Sequence, residues 1–346
     1  MEVPGVRSFW ARESAPVPSA TLPGVDPTAP LIDPAPRTFF GVPSLRDLDA
    51  LDSQVAFLGV PYDGGTSEPG IPTGQRAGPA AAREATEAQF YYPRPAGDGV
   101  DGGAEGWYDV EADRDYLVGV TMADVGDVAI QGSDTEANYG RITGAARAIA
   151  ERGALMVAIG GDHSISYPLG RGMEPWGEFD VVHVDAHTDF LDELGGARLT
   201  GASQLRRLAE LPFTGTVTAL GVRSVDRAEV DGMRELGGRW ATSLDVIERG
   251  ADDVVRETVP QTEALYVSID LDVLDSSIAP GHSLPEPGGL SYRQLRAILV
   301  EVARRGRVIG FDVAELNPAR DPSGVTSRVT TWIIAHFLSE IFEQPR

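Results

Sequence analysis

The sequence predicts an α/β fold with a mostly parallel central sheet and helices on both faces. Two observations predict it. From Ser53 onward, short β-rich runs at 55–60, 155–159, 179–184, 217–222, 264–269 and 308–313 alternate with segments of helical spacing at 137–152, 203–211, 291–304 and 325–342. Alternation of this kind builds a parallel sheet flanked by helices. The chemistry-bearing motifs also follow the runs, where such sheets place their sites, at the carboxyl ends of strands. Gly160-Gly161-Asp162-His163-Ser164 follows 155–159, and Asp185-Ala186-His187-Thr188-Asp189 follows 179–184. Asp270-Leu271-Asp272 ends 264–269, and Glu315 follows 308–313.

In chain order, residues 1–52 are proline-rich and lack sustained periodicity. They read as an irregular arm that wraps the body or a neighbouring subunit, a floppy tail being the alternative. Residues 53–346 form one catalytic domain, interrupted at 93–113 by a long surface excursion rich in proline and glycine. No internal repeat is visible.

Composition removes whole classes of chemistry. The chain has no cysteine, so disulfides, thiolate metal sites, iron–sulfur clusters and cysteine nucleophiles are excluded. All 29 basic residues are arginine, which excludes a Schiff-base lysine and the lysine of a phosphate-binding loop. A net charge of −23 repels nucleic acid and anionic membranes; it reads first as a solubility adaptation and second as steering for a cationic ligand. No run approaches the ~18 apolar residues of a membrane span, and no signal-like segment opens the chain. The expectation is a soluble, cytoplasmic protein.

In an extended strand, residues two apart share a face. Asp185, His187 and Asp189 therefore aim at one point, Asp270 and Asp272 do likewise, and His163 adds a further ligand. Burying so many carboxylates together is costly unless cations lie between them. Oxygen and imidazole donors without sulfur suit manganese, nickel or zinc. Six donors exceed the need of one tetrahedral zinc, and two ions sharing carboxylates fit better. Such a pair acidifies water to a hydroxide nucleophile.

These residues carry a resemblance. Gly160-Gly161-Asp162-His163-Ser164, Asp185-Ala186-His187-Thr188-Asp189 and Ser268-Ile269-Asp270-Leu271-Asp272-Val273-Leu274-Asp275 resemble, in order, the three signatures of the ureohydrolases, the arginase and agmatinase superfamily. The likeness covers roughly 53–342 and includes Gly65-Thr66-Ser67, Gly78-Pro79, Pro285-Glu286-Pro287-Gly288-Gly289-Leu290 and Glu315-Leu316-Asn317-Pro318. It implies a three-layer α/β/α fold, two manganese ions (nickel in some members), and hydrolysis of a guanidino or amidine C–N bond in a small cationic substrate. It also implies a homo-oligomer, trimeric or hexameric. One ion would take His163, Asp185, Asp189 and Asp270; the other would take Asp185, His187, Asp270 and Asp272. Glu315 matches the glutamate that pairs with the guanidinium, for which a carboxylate offers bidentate contact.

The chain departs from the family in two places. Thr200 stands where arginases and agmatinases carry a proton-shuttling histidine, and a threonine hydroxyl does not titrate near pH 7. Of five histidines, His183 reads as core or as a support to the ligands, and His336 as structural. His282 remains, in Ala279-Pro280-Gly281-His282-Ser283-Leu284-Pro285, where agmatinases have a Thr-Gly-Thr run. It is expected to contact substrate or replace the missing acid/base. Both departures also resemble formimidoylglutamases, whereas Pro285 to Leu290 and the Asp-His pair at 162–163 resemble agmatinases. No Ser-x-Asn segment of the arginase kind is recognisable at 192–199, although Asp192 and Glu193 could hold a distant ammonium group. The leading expectation is an agmatinase-like enzyme releasing urea. The alternatives are a formimidoyl-amidine hydrolase releasing formamide and a catalytically silent metal-binding paralogue.

Overall fold

The computed structural model describes residues 31–66, 73–87, 94–95 and 104–343. The strands among them are β1 (Ile32–Asp33), β2 (Val55–Val60), β3 (Arg94–Pro95), β4 (Ala104–Asp109), β5 (Arg114–Tyr116), β6 (Met122–Val128), β7 (Leu155–Gly160), β8 (Phe179–Val184), β9 (Thr214–Val222), β10 (Arg239–Thr242), β11 (Ala264–Asp270) and β12 (Arg307–Ala314). The α-helices are α1 (Gly78–Glu87), α2 (Thr135–Glu151), α3 (Ser166–Gly172), α4 (Gln204–Ala209), α5 (Arg227–Glu235), α6 (Ser243–Arg249), α7 (Ala251–Thr258), α8 (Tyr292–Ala303) and α9 (Val325–Glu343).

Nine strands form one sheet in the order β1-β6-β2-β7-β12-β11-β8-β9-β10. Every neighbouring pair is parallel except β1, which runs antiparallel along β6. Helices cover both faces, and the strand repeat divides the core between them. Leu155, Val157 and Ile159 of β7 share a core with Val254 of α7, Leu295 of α8 and Ile334 of α9. Met156 and Ala158 turn the other way, into a core with Ile142 of α2, Leu169 of α3 and Leu205 of α4. Strands buried on both faces read as unbroken apolar runs, which is why β7, β8, β11 and β12 are legible in sequence.

Other elements are not. Met122–Val128 contains Asp124, Gly126 and Asp127, so it lacks an apolar run, yet it pairs with β2 inside the sheet. Asp124 is tolerated there because Arg83 of α1 reaches it with two nitrogens, at 2.9 and 3.0 Å. The strands β1 and β10 are too short to show periodicity, and α1, α3, α5, α6 and α7 were also not anticipated.

Residues 1–30 of the proline-rich arm lie outside the described residues. The rest of the arm packs on the body: Phe39 and Phe40 are buried, with ring centroids 5.5 and 5.6 Å from that of Phe57. The surface excursion expected at 93–113 is in part a small sheet, β3-β4-β5. Trp107 of β4 is buried, and its Nε1 donates to Ser339 Oγ of α9 at 3.0 Å.

The decisive feature for function is the middle of the large sheet. The four strands whose ends carry the motifs, β7, β12, β11 and β8, are consecutive neighbours and all parallel. At ~4.8 Å per strand, their carboxyl ends lie within about 15 Å. This is also where chain order reverses: β8, β9 and β10 run outward to one edge, and β11 and β12 return to fill the gap beside β7. A crevice at such a reversal is the usual place for a ligand in an open α/β sheet.

Candidate metal and substrate site

Each acidic motif is shaped by a short turn closed by its own carboxylate. At the end of β8, Asp185 Oδ1 accepts from His187 N at 2.6 Å. At the end of β11, Asp270 Oδ1 accepts from Asp272 N at 2.8 Å and caps a one-turn helix. After β7, Asp162 accepts from Ser164 N at 3.1 Å and from Gly65 N at 2.7 Å, joining His163's turn to the loop after β2. Asp189 and Glu315 sit in the left-handed region, at φ 47° and 69°. For residues other than glycine this costs on the order of 1–3 kcal/mol, and such strain gathers at functional sites.

Carboxylate oxygens of these motifs converge in two groups. Around His163 Nδ1 lie Asp185 Oδ2 at 2.9 Å, Asp270 Oδ2 at 2.9 Å and Asp189 Oδ2 at 3.2 Å. Around His187 Nδ1 lie Asp272 Oδ2 at 3.0 Å and Asp185 Oδ1 at 3.3 Å. Asp185 thus turns one oxygen to each group, while Asp270 meets the first. His183, read from sequence as core or support, is fully buried; its Nε2 lies 2.9 Å from Asp185 Oδ2 and its ring stacks on His163 at 4.9 Å. Burial alone would lower the pKa of both His163 and His187, yet Asp270 beside the one and Asp272 beside the other push them up. Burial would likewise raise Asp185, but His183, His163 and His187 hold it well below the usual carboxylate range.

A cavity of about 520 Å³ opens over these groups. His163, His187, Asp189, Thr200, Asp270, Asp272, His282 and Glu315 all line it, so the residues singled out in sequence come together here, with Asp185 buried directly beneath. Glu315 Oε1 accepts from His163 N at 3.0 Å, and Oε2 accepts from Gln75 Nε2 at 2.9 Å. Burial, followed by Asp162, pushes its pKa up to about 7. Thr200 is buried, its hydroxyl 3.0 Å from Ser203 Oγ. His282 is fully buried; neither ring nitrogen meets full hydrogen-bond geometry with a described residue, the Leu284 backbone making a weak contact. Burial chiefly lowers its pKa, against Asp272, so the ring is neutral near pH 7.

The sequence reading of Asp192 does not hold. Its Oδ1 accepts from Arg207 at 2.8 Å and pairs with Arg198 and Arg206, and it does not line the cavity. Missed altogether were Gln75, which carries no local signal, and Asp312. An acid inside the apolar run 308–313 is itself a signal of a buried, bonded carboxylate and could have been read as one.

Residues 53–339 match the arginase family. The chain belongs to the arginase family. As a hydrolase of that family it is 32% identical to proclavaminate amidinohydrolase of Streptomyces clavuligerus over 87% of this chain and 91% of that protein. It is also 32% identical to formimidoylglutamase of Halobacterium salinarum, over 89% and 95%. With agmatinase of Pyrococcus horikoshii it shares 33% identity over 80% and 88%. The solved structure of the Streptomyces proclavaminate amidinohydrolase superposes with a TM-score of 0.72 and 30% identity, covering 90% of this chain and 99% of that one. This arginase-family chain therefore has the three-layer fold of its relatives, while relatives of similar identity differ in the substrate their names give.

Proposed function

We propose that the protein is an agmatinase-like ureohydrolase that uses two divalent ions, manganese before nickel, to release urea from a guanidino compound with a cationic far end. The donor set fits such ions. His163 Nδ1 and Asp185 Oδ2 face each other at 2.9 Å, both buried and without hydrogen-bond geometry. About 3 Å is the separation of adjacent ligands around an ion held at ~2.1 Å. His163, Asp185, Asp189 and Asp270 would hold one ion, and Asp185, His187, Asp270 and Asp272 the other. When bound, the ions supply Lewis acidity and lower the pKa of water at the site.

The protein's own groups do the rest. Glu315, anchored by His163 N and Gln75, presents a carboxylate to the planar guanidinium. Thr200 cannot shuttle a proton, and His282, neutral and lining the cavity, is the group that would exchange one with the leaving nitrogen.

One observation carries the choice of substrate: among the described residues lining the cavity there is no arginine, and of its histidines His163 and His187 belong to the ion-holding set. Arg223, nearby, is committed to the carbonyl oxygens of Pro287 at 3.1 Å, Glu286 at 3.2 Å, Asp272 and Val273. Asp226 and Glu286 line the wall instead. A substrate carboxylate would find no counter-charge, whereas an ammonium group would. This weighs against the formimidoylglutamate alternative, which Thr200 on its own would favour.

The test is a panel of agmatine, guanidinobutyrate, guanidinopropionate, guanidine, arginine and formimidoylglutamate with manganese- or nickel-loaded protein, reading urea and formamide. Urea from agmatine is expected, with kcat/KM at least about tenfold above the carboxylate-bearing compounds, a difference of ~1.4 kcal/mol. Formamide from formimidoylglutamate would overturn the reading, and silence with two ions bound would point to the silent paralogue. Sedimentation of the loaded protein checks the trimer or hexamer that goes with this reading.

A further inference from the structure

Beneath His163 lies a buried carboxylate for which the proposed reaction has no use. Asp312, in the middle of β12, is fully buried and has no ion-pair partner within 4.0 Å among the described residues. Three hydroxyl groups surround it. Tyr266 donates to Oδ2; Ser166 and Ser268 donate to Oδ1 at 2.9 and 3.1 Å. Ser268 is the direct cross-strand neighbour of Asp312 on β11, and its oxygen lies 2.8 Å from His163 Nε2.

A hydroxyl carries one proton, and an ionised carboxylate only accepts. The proton of Ser268 is drawn to Asp312, or to Ser166 at 3.0 Å, whose own proton goes to Asp312. In either case Ser268 has only lone pairs left for His163. Nε2 must then carry the N–H, and Nδ1 is bare, facing the oxygens of Asp185, Asp270 and Asp189. The stacked ring of His183 holds the plane of His163 from the side.

We propose that Asp312 is a positioning residue that, through the single proton of Ser268, fixes His163 in the tautomer and orientation that can bind an ion. This rests on the metal-site reading above. Outer carboxylates that orient a ligating histidine are worth about 10–100-fold in metal affinity. What is specific here is the hydroxyl between them, which transmits the direction of a hydrogen bond rather than a charge.

The experiment is manganese binding to the full chain, by competition with a chelating dye, for wild type, Asp312→Ala, Ser268→Ala, the double variant and Tyr266→Phe. Wild type should bind two ions; failure to bind any would overturn the metal reading itself. Each single alanine variant should weaken one ion by about 10–100-fold and leave the other unchanged. The double variant should be no worse than the weaker single, because Asp312 acts only through Ser268. Tyr266→Phe, which leaves Oδ1 untouched, should bind both ions as wild type does. Additive losses in the double variant would show Asp312 acting through its charge or through packing, and would overturn the proposal. Ser268→Ala removes a single atom, so its binding both ions normally would overturn the proposal even if Asp312→Ala did not fold.

Discussion

His282 illustrates how one side chain can be more informative for what it lacks than for what it touches. Its ring has only a weak contact with the Leu284 backbone and stands at the wall of the cavity. A bound substrate would complete the ring's hydrogen bonding, for which a neutral imidazole offers one donor and one acceptor nitrogen. His282→Asn is therefore expected to lower kcat by about 10²–10⁴-fold while bound metal, measured by elemental analysis, stays at the wild-type level. Unchanged turnover would remove His282 from the mechanism. Glu315 is the complementary case: its position at the end of an apolar run was visible in sequence, but the two donors that hold its oxygens were not.

At the scale of elements, the site depends on how α1 is fastened to the sheet. The turn at its start carries Gln75 to Glu315, and Arg83 within it reaches across to β6. Arg83 is buried, paired with Asp124 and Asp127, and lies over the ring of Phe39 at 4.4 Å. Asp124 Oδ2 also accepts from Phe39 N at 2.8 Å, so one ion pair ties the N-terminal segment, α1 and β6 together. Arg83→Ala would leave the carboxylate of Asp124 buried without a counter-charge, which costs about 3–5 kcal/mol. Urea unfolding should show that loss, and pairing the change with Asp124→Leu should recover much of it. An Arg83→Ala protein as stable as wild type would mean that the pair contributes only shape. None of this was legible in sequence, because Arg83 and Asp124 lie 41 residues apart and each alone reads as surface charge.

For the whole molecule, stability should fall on mild acidification, and one identifiable group contributes. His336 of α9 is packed between Trp107, Trp332 and Tyr292, and burial, with Arg296 next, pushes its pKa down to about 4. In the unfolded chain a histidine titrates near ~6.5. Between these values the unfolded state binds the proton and the folded state does not, so stability is full above about pH 6.5 and is lost as pH falls toward 4. The loss reaches about 3 kcal/mol for a shift of this size. His336→Gln should melt with a shallower dependence on pH across that window; an unchanged slope would assign the effect to other groups. What the sequence determined by itself was the kind of chemistry and its strand-end address. The acid–histidine spacing marked Asp185, His187 and Asp189 as one cluster, although a turn after β8, not an extended strand, brings them together; apolar runs buried on both faces announce their strands without help from distant residues. What only the tertiary structure decided was strand order, which made β7, β12, β11 and β8 neighbours. With it came every contact that depends on that order: Asp312 against Ser268, Gln75 against Glu315, and a cavity wall without an arginine among those described. The reason is physical: a side chain's local period is written within a few residues, whereas its partners lie in segments tens to hundreds of residues away that only the packed sheet brings alongside.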